Sequence, residues 1–316
     1  MVSPLCSLVI PVFNGAATIG AVVDELHAAF AAQRFEIILI DDGSADASVQ
    51  VCAGLVEAHP QTVRFVSLAR NFGEHSAVLA GLRQCCGDYA VILDDDGQQP
   101  ASEALRLLEA IRDGSADVVY GRYVDKHHSP VRNAGSRLNG WLAVMLLDKP
   151  KGLYLSSFKA INRLLIDEIC AYRGQWPYVD ALILWATRRI EQLDVEHRTG
   201  GSSNYSTWSL VAAWSRAILS FSILPLRAAA ILGFLSAGLS GIFLVWVIIQ
   251  RLWFNPHIAV GLPTLGVVMA FFAGVQMVML GVIGEYVGRL FLSYAGMPQY
   301  VVRQVRSGST TPPAAR

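Results

Sequence analysis

The chain has 316 residues, enough for one large domain or two modest ones. Its 25 basic and 25 acidic side chains cancel, which removes any net field for a nucleic-acid partner. Hydrophobic residues make up 53% and charged ones 16%, against about 25% charged in ordinary soluble domains, so composition excludes disorder and disfavours a purely soluble globule.

The opening stretch MVSPLCSLVIPVFNG lacks a charged n-region and a long apolar core, so no signal peptide is expected. Short β-branched runs predict strands over 5–12, 35–40, 63–68 and 89–93, with helices over 17–32, 48–58, 75–85 and 102–113 between them. Strand–helix alternation implies a mostly parallel sheet with helices on both faces. The five cysteines show no paired spacing, and most fall in these elements, so reduced structural thiols are expected.

After residue 206 charges nearly vanish. Ala228–Ile249 is a run of 22 residues without a charge, and Ile258–Gly284 is a second of 27. A helix needs about 20 apolar residues to cross the hydrocarbon core, so two transmembrane helices are predicted. Arg216, Arg227, Arg289, Arg303 and Arg306 flank the pair, while the loop offers only Arg251. The positive-inside rule then puts both termini in the cytoplasm. Residues 207–224 predict a helix that lies along the bilayer surface or packs on the soluble domain. The tail from Ser307 predicts disorder.

In parallel sheets ligands bind beyond the carboxyl ends of the strands. There the sequence places Pro11-Val12-Phe13-Asn14-Gly15, Asp41-Asp42-Gly43-Ser44 and Asp94-Asp95-Asp96-Gly97-Gln98. Three adjacent carboxylates repel one another and lose hydration unless a cation sits among them. Mg²⁺ or Mn²⁺ shared with a diphosphate suits this, because such ions take oxygen ligands and favour substrate phosphates. If strand geometry continued, Asp94 and Asp96 would point one way and Asp95 the other. The triplet alone also suits a solvated acidic turn. Asp41 and Asp42 are placed to accept from a base or a ribose, and Ser44 to cap a helix.

The motifs PVFN at 11–14, DDGS at 41–44, NFGEHSAVLAGL at 71–82 and DDDGQQP at 94–100 resemble family-2 glycosyltransferases of the GT-A fold. GEYVGR at 284–289 and MPQYVVRQV at 297–305 narrow this to the polyprenyl-phosphate glycosyltransferases, including bactoprenol glucosyltransferases, undecaprenyl-phosphate aminoarabinose transferases and dolichyl-phosphate mannose synthases. The resemblance implies a GT-A catalytic domain over 1–206, a juxtamembrane amphipathic helix over 207–226, two transmembrane helices over 227–290 and a cytoplasmic tail over 291–316. Pro11, Phe13, Asp41, Asp42 and Arg122 would contact the nucleotide sugar. Asp94 and Asp96 would hold the metal and the diphosphate, with Gln98 facing the donor. Arg132, Ser136, Arg137, Arg198, Ser203 and Tyr205 fall where relatives bind phosphates or lipid.

Four departures stand out. Gly15 replaces a frequent Glu, Gln99 an acidic residue or Asn, Ser157 an Asp proposed elsewhere as catalytic base, and Asn204 a frequent Lys. The implied reaction is an inverting transfer of one sugar from a nucleotide diphosphate to a polyprenyl phosphate at the cytoplasmic face of a bacterial inner membrane, by a homo-oligomer, a tetramer in relatives. The rivals are a processive polysaccharide synthase of the same fold and a non-catalytic binder or flippase component for a lipid-linked sugar.

Overall fold

The structure, a computed structural model, describes residues 5–123, 152–174, 177–198, 262–294 and 298–308, with scattered positions between 231 and 253. The chain divides into two compact units, Met1–Ser206 with Pro298–Arg316, and Thr207–Met297. In the first unit the elements run β1 (Cys6–Val12), α1 (Ile19–Ala29), β2 (Phe35–Asp41), α2 (Ser48–Ala58), β3 (Val63–Leu68), α3 (Glu74–Leu82), β4 (Tyr89–Ile92) and α4 (Ala101–Arg112). Then come β5 (Val118–Tyr123), β6 (Lys159–Asn162), α5 (Arg163–Ala171), α6 (Val179–Ala186), β7 (Ile190–Val195) and β8 (Val302–Ser307).

The eight strands form one sheet in the order β7-β5-β6-β4-β1-β2-β3-β8. Its centre, β4-β1-β2-β3, is parallel, as is β5 with β7. β6 runs antiparallel between β4 and β5, and β8 runs antiparallel on β3. Helices α1, α2 and α4 pack together on one face, and α3, α5 and α6 on the other. Burial on both faces explains the unbroken apolar runs of the central strands. Along β1, Leu8, Ile10 and Val12 join the core beneath α1 and α4, while Val9 faces α3. The first eight elements fall where hydrophobic periodicity puts them, though α1 is shorter than expected. Residues 16–18 are instead a turn, with the Thr18 amide donating to the Gly15 carbonyl at 3.1 Å.

The parallel registers bring the sheet's carboxyl ends together. Val12 lies beside Asp41, Asp41 beside Ser67, and Val9 beside Ile92. One close approach depends on glycine. A Cβ on Gly87, just before β4, would come within 2.8 Å of the Ser7 nitrogen, and the Gly87 amide already donates to Ser7 Oγ at 3.0 Å.

In the second unit, α7 (Leu262–Tyr294) is a 33-residue helix whose segment Phe271–Gly288 is long and apolar enough to cross a membrane. It covers most of the second expected span and runs ten residues past it. The first span, 228–249, lies largely outside the described residues. So do 207–224 and the tail beyond Gly308.

Gly87→Ala is expected to destabilise the first unit by about 1–3 kcal/mol, because β1 backbone rather than a movable side chain blocks the added methyl. Thermal unfolding of the purified protein should show a clear fall in midpoint.

Candidate active site

Each strand-end carboxylate has a different neighbour. Asp41 is 1% exposed and accepts from the Ser44 amide at 3.1 Å and from Ser67 Oγ at 3.3 Å. Asp42 is buried too. Its two oxygens accept the Phe72 and Gly73 amides, each at 2.8 Å. Asp42 thereby fixes the turn that enters α3, where Gly73 has φ 95°. Burial pushes the Asp42 carboxyl up to about 6, against those two hydrogen bonds.

The acidic triplet does not continue as a strand, because β4 ends at Ile92 and Asp95-Asp96 form a turn. Asp94 Oδ2 accepts from Gln99 Nε2 at 2.6 Å and from Ser157 Oγ at 2.8 Å. Gln99 also accepts the Asp94 amide at 2.8 Å and donates to Tyr123 Oη at 3.1 Å. Asp95 turns the other way, toward β1, where its Oδ2 accepts the Phe13 amide at 3.0 Å. A Cβ on Gly15 would overlap that carboxylate, so the glycine makes room for Asp95. Asp96 is exposed, and its Oδ1 accepts the Gln98 amide at 2.9 Å. Burial, then the nearby Glu74 charge, raises Asp94 to about 7, and burial raises Asp95 to about 6.

The nucleotide-side expectations fall at this edge. Pro11 is half-buried in β1, and Phe13 stands 51% exposed just past it. Asn14, at φ 56°, links the first two turns: its amide donates to Ser44 Oγ at 3.0 Å and its Oδ1 accepts the Ala45 amide at 2.9 Å. Arg122, expected at the nucleotide sugar, and Arg198, expected at a phosphate, both hold protein carboxylates. Arg122 forms a two-pronged pair with Asp194 across β5 and β7, at 2.5 and 2.8 Å. Arg198 makes a matching pair with Glu25 of α1, at 2.8 Å for each prong. Its amide donates to the Gln98 carbonyl at 2.9 Å, so the Asp94–Gln98 turn is tied to both α1 and the chain leaving β7. Arg132, Ser136, Arg137, Ser203 and Tyr205 lie outside the described residues.

Residues 7–174 match the family model Glycosyl transferase family 2. The chain belongs to that family. An undecaprenyl-phosphate 4-deoxy-4-formamido-L-arabinose transferase of Aeromonas hydrophila is 32% identical over 98% of this chain and 96% of the relative. One from Yersinia pestis is 32% identical over 96% and 94%. The fold resembles glucosyl-3-phosphoglycerate synthase of Mycobacterium tuberculosis. Its UDP complex gives a TM-score of 0.53 at 20% identity, over 69% of this chain and 79% of that one. Its complex with Mn²⁺, UDP-glucose and phosphoglyceric acid gives 0.52 at 20% identity, over 69% and 78%.

Sequence reasoning missed a second group in this glycosyltransferase. Beside Asp94 opens a cavity of about 230 Å³, lined among others by Glu74, His75, Ser157, Lys159, Tyr178 and Asp180. Lys159 Nζ and Asp180 Oδ1 form a buried ion pair, and Tyr120 Oη donates to the same oxygen at 2.9 Å. The His75 ring meets Tyr178 edge-on at 4.7 Å, and burial drives the imidazole down to about 4. A buried lysine inside the short apolar strand β6, and the Glu-His pair opening α3, were the available signals.

Asp42, Asp94 and Asp95 titrate above the roughly 3.9 of an unfolded aspartate. Protonation therefore favours the folded state. That stabilisation is complete below about pH 4 and is lost as pH rises through 6 to 7. The buried His75 imidazole works the other way between about pH 4 and 6.5, but three carboxyls outweigh one ring, so in metal-free buffer the unfolding midpoint is expected to fall between pH 5 and pH 8; a midpoint that climbs across that window contradicts the sign.

Proposed function

We propose that this family-2 glycosyltransferase moves one sugar, with inversion, from a nucleotide-diphosphate sugar to a polyprenyl phosphate at the cytoplasmic face of a bacterial inner membrane. The observation that carries the reading is the reach of the similarity. It extends over 98% of the chain to a protein named for undecaprenyl phosphate, well past residue 174 where the family model stops. It thus includes the apolar helix α7, which suits an acceptor whose isoprenoid stays in the bilayer.

The nucleophile explains the lack of a strong base. A phosphate monoester has its second pKa near 6 and arrives largely dianionic at pH 7. Ser157, where relatives carry Asp, then plays a different part, because its hydroxyl orients Asp94. The exposed Phe13 ring offers a face for the base, and the Asp41–Asp42 turn shapes the floor beneath it. Rate would come mainly from positioning two anionic partners. Arg132 and Arg137 are the proposed phosphate ligands, with Ser136, Ser203 and Tyr205 alongside. Arg122 and Arg198 brace the site through Asp194 and Glu25.

The residues present fit a divalent ion. Among the described residues no three His, Cys, Asp or Glu side chains gather to hold a metal by themselves. Asp94 and Asp96 supply two carboxylates, and the burial that raises Asp94, together with the Glu74 and Asp96 charges near it, is what a cation offsets. Mg²⁺ or Mn²⁺ held by Asp94 and Asp96 would supply charge stabilisation to the leaving diphosphate. The catalytic unit over 1–206, two spans with both termini cytoplasmic, and a homo-oligomer complete the reading.

Membranes given labelled nucleotide sugars and undecaprenyl phosphate should form an extractable lipid bearing one sugar; a polymer, or no lipid product, overturns the reading. Asp96→Ala is expected to lower transfer by at least about 10²-fold with folding intact, the scale of removing one preorganised charge-stabilising group.

A further inference from the structure

Two of the departures from the family pattern meet in space. Gln99 stands in place of an acidic residue or Asn, and Ser157, 58 residues along, stands in place of an Asp. Both side chains end on the same atom. Gln99 Nε2 donates to Asp94 Oδ2 at 2.6 Å, Ser157 Oγ donates to it at 2.8 Å, and the two donors lie 3.5 Å apart.

The Gln99 carboxamide fits only one way round. Its Oε1 accepts the Asp94 amide at 2.8 Å while its Nε2 faces the carboxylate. Reversed, it would set oxygen against oxygen and N–H against N–H. The second Nε2 hydrogen goes to Tyr123 Oη at 3.1 Å, at the end of β5. Gln99 is buried, so a side chain there must spend its polar atoms on the protein.

A carboxylate at position 99 could accept the Asp94 amide but would offer Oδ2 no proton. An Asp at position 157 would bring another like charge to the same oxygen. Two neutral donors replace two acids here, and the result is a carboxylate with unlike oxygens. Oδ2 is held from two sides. Among the described residues no side chain or amide donates to Oδ1.

We propose that Gln99 and Ser157 are paired positioning residues that hold Asp94 by Oδ2 and leave Oδ1 as the oxygen presented to a diphosphate-bound cation. This rests on the reading of Asp94 and Asp96 as metal ligands. It goes beyond that reading by giving the direction of Asp94 to two residues that are not ligands. Because each donor restrains a carboxylate that the other also holds, their effects are not independent.

Mn²⁺ binding to the full-length protein, followed by electron paramagnetic resonance with UDP present and acceptor absent, tests the pair without turnover. Ser157→Ala, and Gln99→Met, which removes both amide groups at similar length, should each weaken Mn²⁺ binding at least about tenfold, the scale of one hydrogen bond to a charged group. The double variant should lose clearly less than the product of the two single losses. Ser157→Thr, which keeps the hydroxyl, should retain most of the affinity and guards against a packing defect in the alanine variant. UDP affinity measured without metal should not move in any of them. Mn²⁺ binding at the wild-type level in either single variant overturns the proposal. So do losses that simply multiply in the double variant, a Ser157→Thr protein as weak as Ser157→Ala, or a fall in metal-free UDP affinity as large as the fall for Mn²⁺. A wild type that binds no Mn²⁺ refutes the metal reading itself, and this proposal with it.

Discussion

Anionic crowding at the carboxyl edge of a parallel sheet is the constraint around which the catalytic unit is arranged. Five carboxylates, Asp41, Asp42, Asp94, Asp95 and Asp96, lie at the ends of β2 and β4, strands separated only by β1. Most of them are used up by the protein. Asp41 and Asp42 accept hydrogen bonds from turns and β3, Asp95 holds the β1 loop, and Asp94 is gripped by Gln99 and Ser157. Of the five, Asp96 alone stands exposed at the tip. The electrostatic cost of the cluster is thus converted into fixed loop positions, and the remaining exposed carboxylate stands at the open end of the sheet.

The arginines extend the same logic outward. Arg198 joins Glu25 of α1 to the Asp94–Gln98 turn, while Arg122 joins β5 to Asp194 of β7. Both pairs are exposed, so each contributes little to stability on its own. Their value is geometric. A planar guanidinium seated on two carboxylate oxygens fixes direction as well as distance, and Arg198 does so just after β7 ends at Val195.

The central half of the fold was legible because burial on both faces forces uninterrupted β-branched runs, as in Ile37–Ile40. The additions were not. β6 is four residues long and carries Lys159, whose partner Asp180 is far along the chain, and β8 is exposed throughout and rich in arginine. The site divides similarly. The strand-end motifs put Asp94 and Asp96 just past β4, but the facing of Asp95 depended on where β4 stops and on a glycine on another loop. The pairing of Arg198 with Glu25 across 173 residues has no local signature. Nor has the cavity at Glu74 and His75, which exists only once α3, β6 and α6 are assembled.

β8 carries a consequence for biogenesis. Its backbone pairs with β3, the Ala69 amide bonds to the Val301 carbonyl at 2.8 Å, and Arg83 reaches Tyr300 Oη and Gln299 Oε1 at 3.1 and 2.8 Å. These residues leave the ribosome only after the whole of α7 has been made. Until then the outer edge of β3 is an open template for pairing with another chain. Completion of the sheet is therefore a late event in synthesis, and the last edge is sealed only after the long apolar helix has been made.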